Sequence, residues 1–467
     1  MPPSPVFLPL RSLSESIRAR RISPVEITSI FLDRLEKLGP TYNAVVTVTR
    51  ELALAQAQAA EREIAAGRYR GPLHGIPYGA KDLLATADGI PTSWGAAPFR
   101  DRQFGYDATV IRKLREAGAV LAAKLSMVEL AGGMGYRQPN ASFTGPGVNP
   151  WDTTRWSGGS SSGSAAAVSA GLVPFAIGSE TWGSILGPAN HCGVTGLRPT
   201  FGRVSRFGAM VLSWSLDKIG PLGLTADDCG LVLEGMAGED AADPSTTDRI
   251  FRYEPIPPGK RYRLGVVSGV AEGADPAVQR NFVAALKTVG EIADIEEVRL
   301  PALPYEEITR TILFGEMASA FEEMIESGQI AALTAPEDRV TPYSRCAILA
   351  TDYIRALRLR GMVAREIDHA MRGFDAFLGP SRATPASRLD EEFRSAIRGA
   401  GKDLMGAVGN AAGLPAVSVP NGFTDDGLPT GMQFMGRAYD ETLILAAANA
   451  YQARTEWHLR HPPATLP

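Results

Sequence analysis

Serine, glycine and lysine concentrate in three short segments whose residue types could run acyl transfer. The first is Ser157-Gly158-Gly159-Ser160-Ser161-Ser162-Gly163-Ser164-Ala165-Ala166-Ala167-Val168. Its plainest reading is a flexible linker, although apolar residues follow at once from Leu172 to Ile177. A phosphate loop would need Lys and then Ser or Thr after the last glycine, where Ser164-Ala165 stands. The third reading is a packed active-site loop feeding a buried Ala-rich helix. Glycines there let the backbone approach a substrate, and small serines bring hydroxyls without bulk. On pattern alone this reading carries no more weight than its rivals together.

The second segment, Gly178-Ser179-Glu180-Thr181-Trp182-Gly183-Ser184-Ile185, follows an apolar run that reads as a buried strand. A strand ending in a Gly-containing turn can expose a nucleophile, and successive N–H groups in such a turn can bind an oxyanion. The plainer alternative is an ordinary turn with a solvated serine. The third segment, Gly75-Ile76-Pro77-Tyr78-Gly79-Ala80-Lys81-Asp82, sets Lys81 behind an apolar, Pro- and Gly-shaped run. Lysine is ordinarily a solvated charge. Burial disfavours the cation, and the neutral amine can act as a base.

These segments need a scaffold. Ser23-Pro24-Val25-Glu26 reads as a capped helix start, with Ile27, Ile30, Phe31 and Leu35 at helical spacing. Ala44 to Val48 reads as a strand and 53–68 as a second helix. From Leu73 to Pro221 glycine is dense, and Ala119 to Leu125 and Val173 to Ile177 read as buried strands. Helices are expected over 227–237, 276–289 and 442–452, and strands over 263–270, 295–300, 376–379, 416–419 and 431–435. Residues 309–372 read as mostly helical, broken near Pro336 and Pro342. No internal repeat or low-complexity linker divides the chain. The expectation is one α/β domain over 1–467, with an N-terminal helical segment (1–70), a catalytic core (71–225) and a variable helical insertion (310–372) that serves as a substrate cap.

The 467 residues carry 47 basic and 51 acidic side chains, a net charge of −4, which argues against a general nucleic-acid surface. Cys192, Cys229 and Cys346 are too sparse for a disulfide framework or a zinc spacing. No run is long enough to span a membrane, and Met1 to Leu10 shows no signal-peptide pattern. A cytoplasmic location is expected.

Taken together, the three segments resemble the amidase signature family of serine hydrolases. Further blocks carry the likeness: Gly193 to Ser205 (GVTGLRPTFGRVS), Ser215 to Pro221, Ala412 to Pro420 (AGLPAVSVP) and Gly427 to Gly431. It runs from about Leu35 to Pro462 and is weakest over 240–375. The resemblance implies a single α/β domain, a twisted mixed β-sheet covered by α-helices on both faces. It implies a Ser-Ser-Lys triad of Ser184 as nucleophile, Ser160 held through a cis peptide bond, and Lys81. It implies oxyanion donors at the backbone N–H groups of Thr181, Trp182, Gly183 and Ser184. Neutral Lys81 then drains a proton from Ser160, which takes that of Ser184. An acyl-enzyme forms, and water cleaves it by the same relay. No metal or organic cofactor is called for.

Two of five histidines, His74 and His191, lie near these segments, but neither sits in a Gly-x-Ser-x-Gly context, so structural roles are expected. The chain departs from the family pattern at Trp182, where Gly is frequent, at Leu186, where Arg is frequent, and at Glu180, where Asp is usual. Loss of a guanidinium at Leu186 points to neutral, apolar amides, anilides, carbamates or esters. Met134, Gly135 and Gln138 are expected to line the substrate pocket with Trp182 and Leu186. Phe314, Met317, Phe321 and Met324 fall on one helical face, read as core or as a cap. The partner expected is a small-molecule amide, with no nucleic acid and no membrane, and the chain is expected as a homodimer. One alternative is the glutaminase component of a tRNA-dependent amidotransferase, working only in a complex. Another is a non-catalytic binding protein on the same fold, against which the intact Lys81, Ser160 and Ser184 argue.

Overall fold

A computed structural model describes residues 5–256, 259–393 and 403–463. Among them, eleven strands form one mixed sheet. In chain order these are β1 (Val45–Val48), β2 (Pro77–Lys81), β3 (Val120–Leu125), β4 (Phe175–Glu180), β5 (Thr195–Arg198), β6 (Lys218–Gly223), β7 (Tyr262–Val267), β8 (Ala293–Val298), β9 (Ala376–Pro380), β10 (Ala416–Phe423) and β11 (Pro429–Met435). The order across the sheet is β1-β3-β2-β4-β6-β5-β10-β11-β9-β7-β8. Strand β2 runs parallel to both β3 and β4, and β7 parallel to both β8 and β9. The remaining pairs are antiparallel.

Alternation along the strands feeds two cores, one on each face. In β10, Val417 and Val419 enter one hydrophobic cluster and Ala416 the other. In β11, Met432 and Phe434 part from Met435 in the same way. Helices therefore cover both faces, as the resemblance implies. Ser23 Oγ accepts the Glu26 N–H at 3.0 Å and starts helix Pro24–Tyr42 with Pro at its first turn. That helix ends at Asn43, whose φ of 46° swings the chain into β1.

Three strands escape a reading by composition. β2 (PYGAK), β5 (TGLR) and β6 (KIGPLG) are poor in β-branched residues and rich in Gly, Pro and charge. All their residues are buried, so tertiary placement between better strands outweighs local propensity. The C-terminal helices and strands lie within a few residues of expectation. In 305–370 stand helices Tyr305–Ala320, Glu322–Glu326, Thr341–Arg345 and Ala350–Ala370, with two short 3-10 turns, Gln329–Ala332 and Pro336–Arg339, between the second and the third. No helix among the described residues is long and apolar enough to cross a membrane.

Candidate active site

Strands β2 and β4 are parallel neighbours, with Ala80 opposite Ile177. Their carboxyl ends therefore emerge together, where open α/β sheets bind ligands. Lys81 closes β2, and Ser179 and Glu180 close β4. Ser160 and Ser161 immediately precede helix Ser162–Ser169, which packs on both strands. Lys81 Nζ lies 2.7 Å from Ser160 Oγ, 3.0 Å from Ser161 Oγ and 3.0 Å from Ser179 Oγ. The Gly159–Ser160 peptide is cis.

Lys81 is sealed from solvent, and burial pushes its pKa down to about 7, with Asp217 and Glu180 pulling weakly the other way. The contrast with Lys124 on β3 is chemical. Lys124 is equally buried but pairs with Asp82 at 3.1 Å, whereas the side chains bonded to Lys81 among the described residues are hydroxyls. An amine surrounded by neutral donors and acceptors can give up its proton without stranding a carboxylate.

Ser184 sits in the turn between β4 and helix Leu186–Cys192 and opens on a cavity of about 430 Å³. The Ser161 N–H donates to Ser184 O at 3.3 Å, tying this turn to the serine loop. The N–H groups of Thr181, Trp182, Gly183 and Ser184 find no acceptor among the described residues. Glu180 secures the exit of the turn: Oε2 accepts the N–H groups of Ile185 (2.9 Å) and Leu186 (3.1 Å), and Oε1 meets Arg198 at 2.9 Å. Burial opposes its charge, but Arg198 and Lys218 prevail and hold it down to about 2.

The cavity wall differs from the expectation except at Trp182. Leu186 is 3% exposed and packs in the core, its backbone held by Glu180, so it presents nothing to a substrate. Met134 is wholly buried in the other core. Gly135 backs onto Thr341, and Gln138 reaches outward to Glu337 at 3.3 Å. The chain turns at Leu130 and Ala131, both at positive φ, and it is Ala131, Gly132, Gly133 and Tyr136 that face the cavity. Phe314 also lines it, under the Arg345 guanidinium at 4.0 Å, while Met317, Phe321 and Met324 are core.

Guanidinium groups reach the cavity from other parts of the chain. Arg310 and Arg382 both line the cavity, with Asp403 and Glu306 beside them. Arg310 lies 5.6 Å from the Trp182 ring centroid, and the Trp182 indole donates to Asp403 at 3.2 Å. Arg382 and Asp403 form an ion pair at 3.0 Å. Sequence reasoning missed these residues, and Ser161 and Ser179 as Lys81 partners; the one available signal was a charge directly after a buried run, as Arg382 follows β9.

Neither histidine joins the serines. His74 Nδ1 accepts the Arg70 N–H at 3.1 Å, and its other nitrogen faces Glu63 at 3.3 Å. His191 borders the cavity, yet burial and then Arg382 push it down to about 3, and it bonds to neither Ser160 nor Ser184 among the described residues.

Comparison with known proteins gives the same frame. A component of the glutamyl-tRNA(Gln) amidotransferase of Geobacter sp. (strain M21) is 36% identical over 98% of this chain and 99% of its own length. The native peptide amidase of Stenotrophomonas maltophilia is 30% identical with a TM-score of 0.83, covering 97% of this chain and 98% of that one. A structure described as a vestigial protein complex revealing the origins of an s-triazine catabolic enzyme matches with 29% identity and a TM-score of 0.87, over 96% and 98% of the two chains. The first of these overturns the expected partners, a small molecule alone with no nucleic acid and a homodimer: that relative is named as one subunit of a larger enzyme, and its name carries a tRNA. A net charge averages over the whole surface and says nothing about one docking face, so composition does not exclude a nucleic-acid partner. The Amidase family model matches residues 26–445, and this chain belongs to that family, whose members act on C–N bonds.

Proposed function

We propose that this chain hydrolyses a carboxamide through Ser184, with Ser160 as relay and Lys81 as base, and that its substrate is a charged amide of the glutamine type. The observation that carries the chemistry is Lys81 Nζ, fully buried, 2.7 Å from Ser160 Oγ and poised near pH 7. Proton flow runs from Ser184 to Ser160 to Lys81 as Ser184 attacks the carbonyl, and returns to the departing ammonia. The N–H groups of the 181–184 turn take the oxyanion. Water then attacks the acyl-enzyme, and the same three side chains move its proton.

Support for a charged substrate comes from the cavity wall, where Arg310 faces Glu306 at 3.8 Å and Arg382 pairs with Asp403 at 3.0 Å. A zwitterion suits such a wall better than an anilide does. The name of the amidotransferase relatives supports a role as the ammonia-releasing part of a complex. All three cysteines are free, in keeping with a reducing compartment. A second reading, aryl or alkyl amides, is favoured by Tyr136, Trp156, Trp182 and Phe314 in the same wall.

The deciding experiment measures ammonia release from glutamine alongside p-nitroanilide and p-nitrophenyl ester hydrolysis, with Ser184→Ala as control. Glutamine turnover that disappears in Ser184→Ala is the expected result. Anilide turnover without glutamine turnover selects the second reading. Activity surviving Ser184→Ala removes the nucleophile.

A further inference from the structure

Arg382 stands outside the three segments that carry the proposed proton relay, just beyond the end of β9. Its guanidinium lies over the nucleophile turn. Nη2 donates to Gly183 O at 2.8 Å, and Nη1 donates to Asp403 Oδ2 at 3.0 Å. Asp403 is held in turn. Its Oδ2 accepts the Trp182 indole N–H at 3.2 Å, and its Oδ1 accepts the Gly406 N–H at 3.0 Å in the first turn of helix Leu404–Ala412. The seat of the guanidinium is cut close: a Cβ on Gly183 or on Gly187 would collide with it. Gly183 also needs its φ of 82°, which side-chain-bearing residues rarely adopt.

Gly183 O and the Ser184 N–H belong to one planar peptide unit and point in opposite directions. A cation bonded to the oxygen fixes the plane, and it draws density from the nitrogen, which strengthens the N–H as a donor. The Gly187 N–H also reaches Gly183 O, at 2.9 Å, but that bond is neutral and local to the helix start. We infer that Arg382 is a positioning residue: it clamps the Gly183–Ser184 peptide so that the Ser184 N–H is aimed and polarised toward the substrate oxyanion. Asp403 serves the same end by holding the guanidinium from behind, and the Trp182 indole holds Asp403, which gives a purpose to the tryptophan in this turn. The inference rests on the reading of Ser184 as nucleophile.

A clamp of this kind acts on the transition state, whereas a cation that merely holds a substrate carboxylate acts on binding. The test therefore uses a neutral p-nitrophenyl ester and a neutral p-nitroanilide, which offer no carboxylate. Arg382→Ala is expected to lower kcat by about 10- to 100-fold, a part of what deleting an oxyanion donor costs, with KM nearly unchanged. Arg382→Lys recovers little, because a point charge cannot bond Gly183 O and Asp403 together as the fork does. Millimolar guanidinium chloride restores activity several-fold in Arg382→Ala and leaves the unsubstituted protein unaffected. An unchanged kcat overturns the clamp, as does a loss confined to KM. A kcat loss that follows a lowered melting temperature and resists guanidinium overturns it too. Labelling with phenylmethylsulfonyl fluoride, read by mass spectrometry, separates the two layers: absence of label at Ser184 removes the nucleophile itself, whereas normal label with an unaffected Arg382→Ala removes only the clamp.

Discussion

Two buried lysines on adjacent strands divide by what they touch. Lys124 meets Asp82 at 3.1 Å, while Lys81 meets three serine hydroxyls. Burial disfavours both cations, but for Lys124 a carboxylate opposes the loss of charge. As the proposed base, Lys81 must be neutral to act, so kcat/KM should rise with pH along a limb at about 7 and level off above it. A pH–rate profile checks this. Ser179→Ala deletes a hydroxyl that supports the ammonium form and should move that limb to lower pH. Lys81→Met should lower kcat about 10²- to 10⁴-fold, the usual worth of a positioned base, in steady-state kinetics at a pH above that limb.

At the scale of elements, the turn that carries Ser184, the proposed nucleophile, is a short span suspended between β4 and helix Leu186–Cys192. Glu180 anchors it by accepting two N–H groups of that helix start, and Arg198 on β5 and Asn410 secure Glu180. Arg198 also donates to Leu414 O at 3.0 Å, joining the turn to the chain ahead of β10. The pair Arg198–Glu180 is wholly buried. Removing one partner strands the other charge, so Arg198→Met should cost about 3–5 kcal/mol, read as a lower urea midpoint. Because the carboxylate is held near 2 by that arginine and Lys218, acid should not release the turn until pH falls through that value.

At the scale of the molecule, the cavity is assembled from widely separated stretches of chain: the 131–136 loop, the 182–187 turn, helix Tyr305–Ala320, the residues after β9 and Asp403. The helical region that matches the family pattern least thus supplies part of the wall. Arg310 lies on that helix, and as an anchor for a substrate carboxylate its loss should appear in binding. Arg310→Ala should raise KM for glutamine about 10- to 100-fold, the worth of one charge-assisted hydrogen bond, and leave neutral anilides unaffected. Parallel kinetics on the two substrate classes check this.

Residue types and their order single out Lys81, Ser160, Ser184 and the 181–184 turn as candidates, since acyl transfer demands small residues, hydroxyls and a base in short local runs, and the fold seats Lys81 Nζ on Ser160 Oγ. Alternating and amphipathic patterns likewise located the C-terminal helices and strands, because those elements carry their own periodicity. Strands β2, β5 and β6 carry none; they are strands because neighbours on both sides supply their hydrogen bonds. The cavity wall was illegible for the same reason. Leu186 and Met134 turn inward, and Arg310, Arg382 and Asp403 converge from separate stretches of the chain. Local chemistry is written in neighbouring residues. The charge around a substrate is set by which distant side chains the fold brings to one place.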